Sequence, residues 1–190
     1  MTIAVDIDGV ILDYIDQTRA YAELYDFSVL HKKGVKNKKA LKLKDRYDWT
    51  LEELQVFVDK YFVNLTYMTN FKPLSVEIIN QLRQEGNKIY IVTYRGKLHP
   101  ELINIIKKKF NDQGLIVDEY FWQVEDKLKV FKEKNVDIVI DDSPEVCRQA
   151  IKNNILTLYF REKNMEKICH PLLIDVDNWG QVYREIKNRR

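Results

Sequence analysis

The sequence is poor in cysteine, with Cys147 and Cys169 the only two. They have neither the CxxC spacing of a metal site nor the number a disulfide scaffold needs, so a reducing compartment is expected. No stretch approaches the roughly 18 apolar residues of a membrane span. The N-terminus enters an apolar run at once, without the basic flank and long apolar stretch of a signal peptide. The expectation is a cytoplasmic protein with no membrane contact. His31, His99 and His170 are scattered and show no ligand spacing. Net charge is nearly absent too: 31 basic and 29 acidic residues leave +2. That balance argues against an overall polyelectrolyte binder, and no stable nucleic-acid complex is expected, although local patches remain open. Internal repeats and low-complexity linkers are missing.

What is present suits a globular chain. Its 190 residues, 45% hydrophobic and 32% charged, suggest one main domain with room for a modest insertion. The stretch Ile3-Ala4-Val5 reads as a short buried strand. Asp6 and Asp8 follow, separated by one apolar residue, so they leave the strand end on the same side, and Gly9 permits a sharp turn. Two carboxylates held that close do not both ionise unaided, which implies a bound cation or a proton.

Further along, residues 13 to 27 carry the apolar spacing of an amphipathic helix, and residues 28 to 46 crowd lysines with little periodicity. Thr50-Leu51-Glu52-Glu53 reads as a capping box that opens a helix to about Tyr61 or Phe62. From Pro73 onward helices and strands alternate. Helices are expected at 74–85, 100–113, 127–134 and 178–186, with another opened by Ser143-Pro144. Strands are expected at 88–93, 136–140 and 155–160, with a weaker candidate at 119–124. The alternation predicts an α/β fold with a parallel sheet.

Such sheets bind ligands beyond the carboxyl ends of their strands. Three of those ends carry polar groups: Asp6-Ile7-Asp8, then Thr93-Tyr94-Arg95, then Asp141-Asp142-Ser143, with Lys127 heading a helix between the last two. A carboxylate cluster, a hydroxyl and an ammonium together suit phosphoryl transfer. An aspartate can attack phosphorus, a second can move the proton, and hard oxygen ligands favour Mg²⁺.

The four motifs Asp6-Ile7-Asp8-Gly9-Val10, Thr93, Lys127 and Asp141-Asp142 resemble, in order, those of the haloacid dehalogenase-like hydrolases. The resemblance covers residues 1 to 12 and about 72 to 160. It implies a Rossmann-like core, residues 1–12 and 73–190, with a small helical type 1 cap at 13–72 inserted after the first strand. It also implies a Mg²⁺-dependent phosphatase. Asp6 would be the nucleophile and Asp8 the acid and base. Thr93 and Lys127 would bind phosphate, with Tyr94 and Arg95 beside them. The metal would be held by Asp6, the backbone carbonyl of Asp8, and Asp142 with Asp141 in support. The aspartate at the second position of the first motif points to a phosphatase rather than a dehalogenase. Val92-Thr93-Tyr94-Arg95, Ile140 to Pro144 and Val176-Asp177-Asn178-Trp179 resemble the 5'(3')-deoxyribonucleotidase branch. A small phosphate ester, a nucleoside monophosphate first, is therefore the expected substrate, with a sugar phosphate or nucleic-acid end as the alternative.

Blander readings stand beside these. Lys129 and Lys132 compete with Lys127, Arg95 also suits an exposed salt bridge, and the lysines at 32–44 suit a solvated face. Tyr14, Tyr21, Tyr47 and Trp49 suit packing within the insert as well as stacking on a base. Cys147 is expected in the core. Receiver domains use Asp, Thr, Lys and Mg²⁺ too, but place the acidic pair first. An idle binding protein on the same fold is the remaining rival.

Overall fold

A computed structural model describes residues 1–40, 42–97, 99–163 and 165–189. Among these the central sheet has six strands: β1 (Thr2–Val5), β2 (Lys88–Val92), β3 (Glu119–Phe121), β4 (Ile138–Asp141), β5 (Leu156–Phe160) and β6 (Leu173–Val176). All neighbours pair parallel, in the order β3-β2-β1-β4-β5-β6. The chain winds outward one way from β1 and the other way from β4. A crevice therefore opens at the carboxyl ends of this pair, where loops on either side diverge.

Side-chain alternation seats the sheet between two apolar layers. Ile3 and Val5 of β1, Ile89 and Ile91 of β2, and Ile138 and Ile140 of β4 face one layer. There they meet Ile79 and Leu82 of α4 (Ser75–Gln84), Ile106 and Phe110 of α5 (Glu101–Asp112), and Trp179 and Val182 of α8 (Trp179–Lys187). The intervening Ala4, Tyr90, Val92 and Val139 face the other layer, against Phe131 of α6 (Lys127–Glu133) and Ala150 of α7 (Pro144–Lys152).

Between β1 and α4 lies a helical insert of α1 (Tyr14–Ser28), α2 (Leu43–Arg46) and α3 (Leu51–Met68). Its interior is aromatic: Tyr25, Trp49, Phe57 and Tyr61 pack ring against ring at 5.1–6.0 Å. Tyr47 stacks on Trp49 at 4.7 Å, so both serve packing. The two chain segments joining the insert to the sheet bond to each other, Asp13 N to Asn70 O at 2.9 Å and Lys72 N to Ile11 O at 2.8 Å.

One expectation is corrected and one strand is added. The helix from Thr50 continues to Met68 rather than stopping near Phe62. No glycine or proline intervenes, and Leu65 and Thr66 extend the buried side. The capping box itself is formed, with Thr50 Oγ1 accepting from Glu53 N at 3.2 Å and Glu53 Oε2 from Thr50 N at 2.7 Å. Strand β6 was not legible. It is a half-buried edge segment containing Asp175, and pairing with β5 rather than its own pattern makes it a strand. No described helix is long and apolar enough to cross a membrane.

Candidate active site

Register places the acidic groups. Val5 pairs with Ile140, and Asp6 N donates to Ile140 O at 3.0 Å, so Asp6 and Asp141 leave adjacent strands side by side. One oxygen from each of Asp6, Asp141 and Asp142 falls within 4.8 Å of the others, and all three residues are buried. Lys127, 7% exposed, reaches this cluster from the first turn of α6. Its Nζ donates to Asp141 Oδ2 at 2.7 Å and lies 2.9 Å from Asp6 Oδ1. Lys129 pairs instead with Glu133 at the surface.

Three carboxylates share one ammonium. Burial pushes the Asp6 carboxyl up from 3.8 to about 6, with Lys127 opposing and the charges of Asp141 and Asp8 adding to the rise. Asp142 is raised well above the usual carboxylate range, first by burial and then by Asp141 and Asp6. Burial pulls the Lys127 ammonium down, yet Asp141 and Asp6 outweigh it and hold the ammonium above its ordinary value.

The two members of the acidic pair differ. Asp141 is occupied: Oδ2 by Lys127, and Oδ1 by the backbone N–H of Ser143 at 2.8 Å. Among the described residues no hydrogen-bond donor reaches the Asp142 carboxylate. Gly9 leaves room beside it. With φ at +77°, a Cβ there would stand 2.2 Å from Asp142 Oδ2. A buried oxygen cluster with surplus negative charge, one member lacking donors, fits a hard divalent cation such as Mg²⁺.

Asp8 is placed otherwise than the strand argument implied. Its carboxylate turns to Arg95, accepting from Nε at 3.0 Å and from Nη2. The crowding that calls for a cation therefore lies between Asp6, Asp141 and Asp142, and Asp8 has its own counter-charge. Arg95 does not form an exposed salt bridge. It is 7% exposed, donates Nη1 to Thr66 Oγ1 of α3 at 2.7 Å, and sits 4.5 Å over the Tyr14 ring. That guanidinium joins the sheet to the insert.

Thr93 is buried just past β2, where its Oγ1 accepts from Arg95 N at 3.2 Å. Tyr94 stands at the rim, 49% exposed. Asp6, Asp8, Thr93, Arg95 and Lys127 all line one cavity of about 690 Å³. Its far wall comes from the insert and includes Tyr14, Leu54, Val58 and Phe62.

Several contributors carried no readable local signal. Lys42 and Lys44 line the cavity from the lysine-rich segment. His99 lines it too, held 3.1 Å from Asp59 and 3.0 Å from Glu101. Trp179 donates its indole N–H to Val10 O at 2.9 Å and so pins the loop that carries Asp8 and Gly9. Cys147 is buried, as expected of a core residue.

No family model matches the chain. A protein of Oceanobacillus iheyensis described as a candidate nucleotidase is 29% identical over 106 residues, 54% of this chain and 56% of that protein. The match therefore spans little more than half the length of that relative. Among solved structures, a haloacid dehalogenase-like family hydrolase of Streptococcus pneumoniae superposes with a TM-score of 0.68 at 15% identity, covering 97% of both chains. A HAD-superfamily hydrolase of Geobacter sulfurreducens gives 0.63 at 12% identity, over 100% of this chain and 98% of that one. A protein of Haemophilus somnus described as a predicted phosphoglycolate phosphatase gives 0.65 at 14% identity, over 100% and 97%. The chain has the haloacid dehalogenase-like fold: a Rossmann-like core built on a parallel sheet.

Proposed function

We propose that the protein is a Mg²⁺-dependent phosphomonoester hydrolase working through an aspartyl-phosphate, with nucleoside monophosphates as its first substrates. One observation carries this reading. Carboxylates of Asp6, Asp141 and Asp142 gather within 4.8 Å at the carboxyl ends of adjacent strands, with the Lys127 ammonium among them. The O. iheyensis relative supports the nucleotide preference, and the phosphatase descriptions of the fold neighbours support the reaction class.

Asp6, Asp142 and the backbone carbonyl of Asp8 would hold the cation, which would supply screening of the phosphoryl charge, and Asp141 orients Lys127 from behind. Asp6 attacks phosphorus; its oxygen bonds to phosphorus as the ester P–O bond breaks. Lys127 and Thr93 hold the non-bridging oxygens. Asp8, entering the step protonated, delivers that proton to the departing alkoxide, then takes one from the water that hydrolyses the aspartyl-phosphate, which restores both Asp8 and Asp6. Arg95 holds the Asp8 side chain beside the cleft between these transfers.

Residues 1–12 and 73–190 form the catalytic core, and 13–72 act as a cap whose aromatic wall receives the leaving group. A walled cavity of about 690 Å³ suits a small ester better than the protein partner of a phospho-accepting signalling domain. The test is hydrolysis of p-nitrophenyl phosphate and a panel of nucleoside monophosphates, with and without Mg²⁺. Asp6→Asn should abolish turnover and keep the circular-dichroism spectrum and melting temperature of a folded chain. Turnover surviving that substitution, or no Mg²⁺-dependent hydrolysis at all, refutes the proposal.

A further inference from the structure

A second concavity adjoins the catalytic cleft. It encloses about 990 Å³, and Lys42, Ser143 and Glu145 line both it and the cleft. The two spaces therefore share lining residues at the N-terminus of α7. A cleft of about 690 Å³ already holds a small ligand, so the adjoining groove is surplus to a mononucleotide.

The groove is cationic beyond its local compensation. Lys38, Lys39, Lys163 and Lys167 line it, all exposed, and none makes an ion pair among the described residues. Of its acids, Glu145 is matched by Lys42 at 3.5 Å and Glu166 by Arg148, leaving Asp45 alone. The near-zero net charge of the whole chain conceals this local excess.

The lysines on the insert side stand on an anchored backbone. Asp26, 1% exposed, accepts the Trp49 indole N–H at 2.6 Å and Gly34 N at 2.7 Å. Arg46 Nη1 donates to Lys38 O at 2.9 Å, and Arg46 O accepts from Lys36 N and Asn37 N at 2.9 and 3.0 Å. Tyr94, on the lining of the cleft, presents an exposed ring. Unpaired cations along a groove, beside a cleft that carries an exposed aromatic ring, are the elements that hold a single nucleic-acid strand.

We infer that the cleft which takes a nucleoside monophosphate takes the same nucleotide better as the phosphorylated end of a single nucleic-acid strand. Its terminal nucleotide occupies the cleft, and the following backbone phosphates lie along Lys38, Lys39, Lys163 and Lys167. The inference rests on the reading of the cleft as a nucleotide phosphatase. The strand is a substrate held during turnover, which agrees with the absence of an overall basic surface.

The test compares kcat/KM, with Mg²⁺, for a deoxynucleoside monophosphate, a deoxynucleoside 3',5'-bisphosphate and DNA strands of about ten nucleotides phosphorylated at the 5' or 3' end. At least one strand should exceed the monophosphate by about tenfold or more. Four phosphate contacts give a log–log salt slope near about −3, or about a 50-fold loss between about 50 and about 200 mM salt. The double variant Lys163→Glu/Lys167→Glu should at least halve that slope and remove the strand's advantage, leaving p-nitrophenyl phosphate turnover unchanged. Equal rates on strand and monophosphate overturn the inference. So does a bisphosphate that captures the whole gain, or an acidic phosphopeptide that outcompetes the strand. Binding of a fluorescent phosphorylated strand to the Asp6→Asn chain reads the groove without turnover. If wild-type protein hydrolyses nothing, p-nitrophenyl phosphate included, the phosphatase reading fails. The salt slope and the double variant's effect on binding still decide the groove.

Discussion

Asp142→Asn should stabilise the metal-free protein and destroy its response to magnesium. In the wild type two other carboxylates crowd Asp142 within 4.8 Å, no donor among the described residues reaches it, and Lys127 is engaged by Asp6 and Asp141. Two unit charges at that distance repel by about 3.5 kcal/mol at an effective dielectric of 20. Proton uptake relieves part of this, because burial and its neighbours hold the Asp142 pKa high. An uncharged isostere removes the repulsion that remains, up to about 3.5 kcal/mol at that dielectric. For a chain of this length that raises the melting temperature by up to about 10 °C. The new amide also has acceptors at hand in Asp6 and Asp141. Magnesium at about 100 times its dissociation constant should stabilise the wild type by about 2.7 kcal/mol and the variant by far less, closing or reversing the gap. Thermal melts of both proteins in EDTA and in Mg²⁺ measure this directly. A variant less stable than wild type in EDTA, or one stabilised equally by Mg²⁺, would show that the carboxylates neither repel nor hold a cation.

Lys127→Met strands three buried carboxylates without their cation, so about 3–5 kcal/mol of stability should be lost at neutral pH without metal, read from urea midpoints. Gly9→Ala meets both a positive φ and Asp142 Oδ2 at 2.2 Å; a loss of about 2 kcal/mol and a weaker Mg²⁺ titration are expected. Asp6 is a carboxyl whose folded pKa, about 6, lies above its unfolded 3.8, so the folded state binds the proton more tightly. Its contribution is present below the unfolded value and fades as pH rises through about 6, amounting to about 3 kcal/mol. Metal-free wild type should thus weaken relative to Asp6→Asn across that window, and a constant difference in urea midpoint would contradict it. Trp49→Phe removes one of the donors to buried Asp26, which should cost about 1–3 kcal/mol and expose the 34–46 segment to faster amide exchange.

Local chemistry determined much of this molecule. Alternating apolar runs such as Ile89-Tyr90-Ile91-Val92 bury both faces of a parallel strand wherever they fall, so they are readable without neighbours. Polar groups directly after such runs must emerge at the sheet's carboxyl edge, and Asp6, Thr93 and Asp141 do. Pairings between distant segments were not readable, because they depend on which elements become neighbours. Strand order and register alone set Asp141 beside Asp6 and brought Lys127 between them. The packing of α3 gave Arg95 its second partner, Thr66, while the β1 loop supplied Asp8, so a guanidinium that suited a phosphate grip or an exposed salt bridge became a buried tie. The lysines of residues 38 and 39 became a groove only where the tertiary fold brought Lys163 and Lys167 to the same concavity. A charge's partners lie wherever the tertiary fold delivers them, and a linear pattern carries no record of that distance.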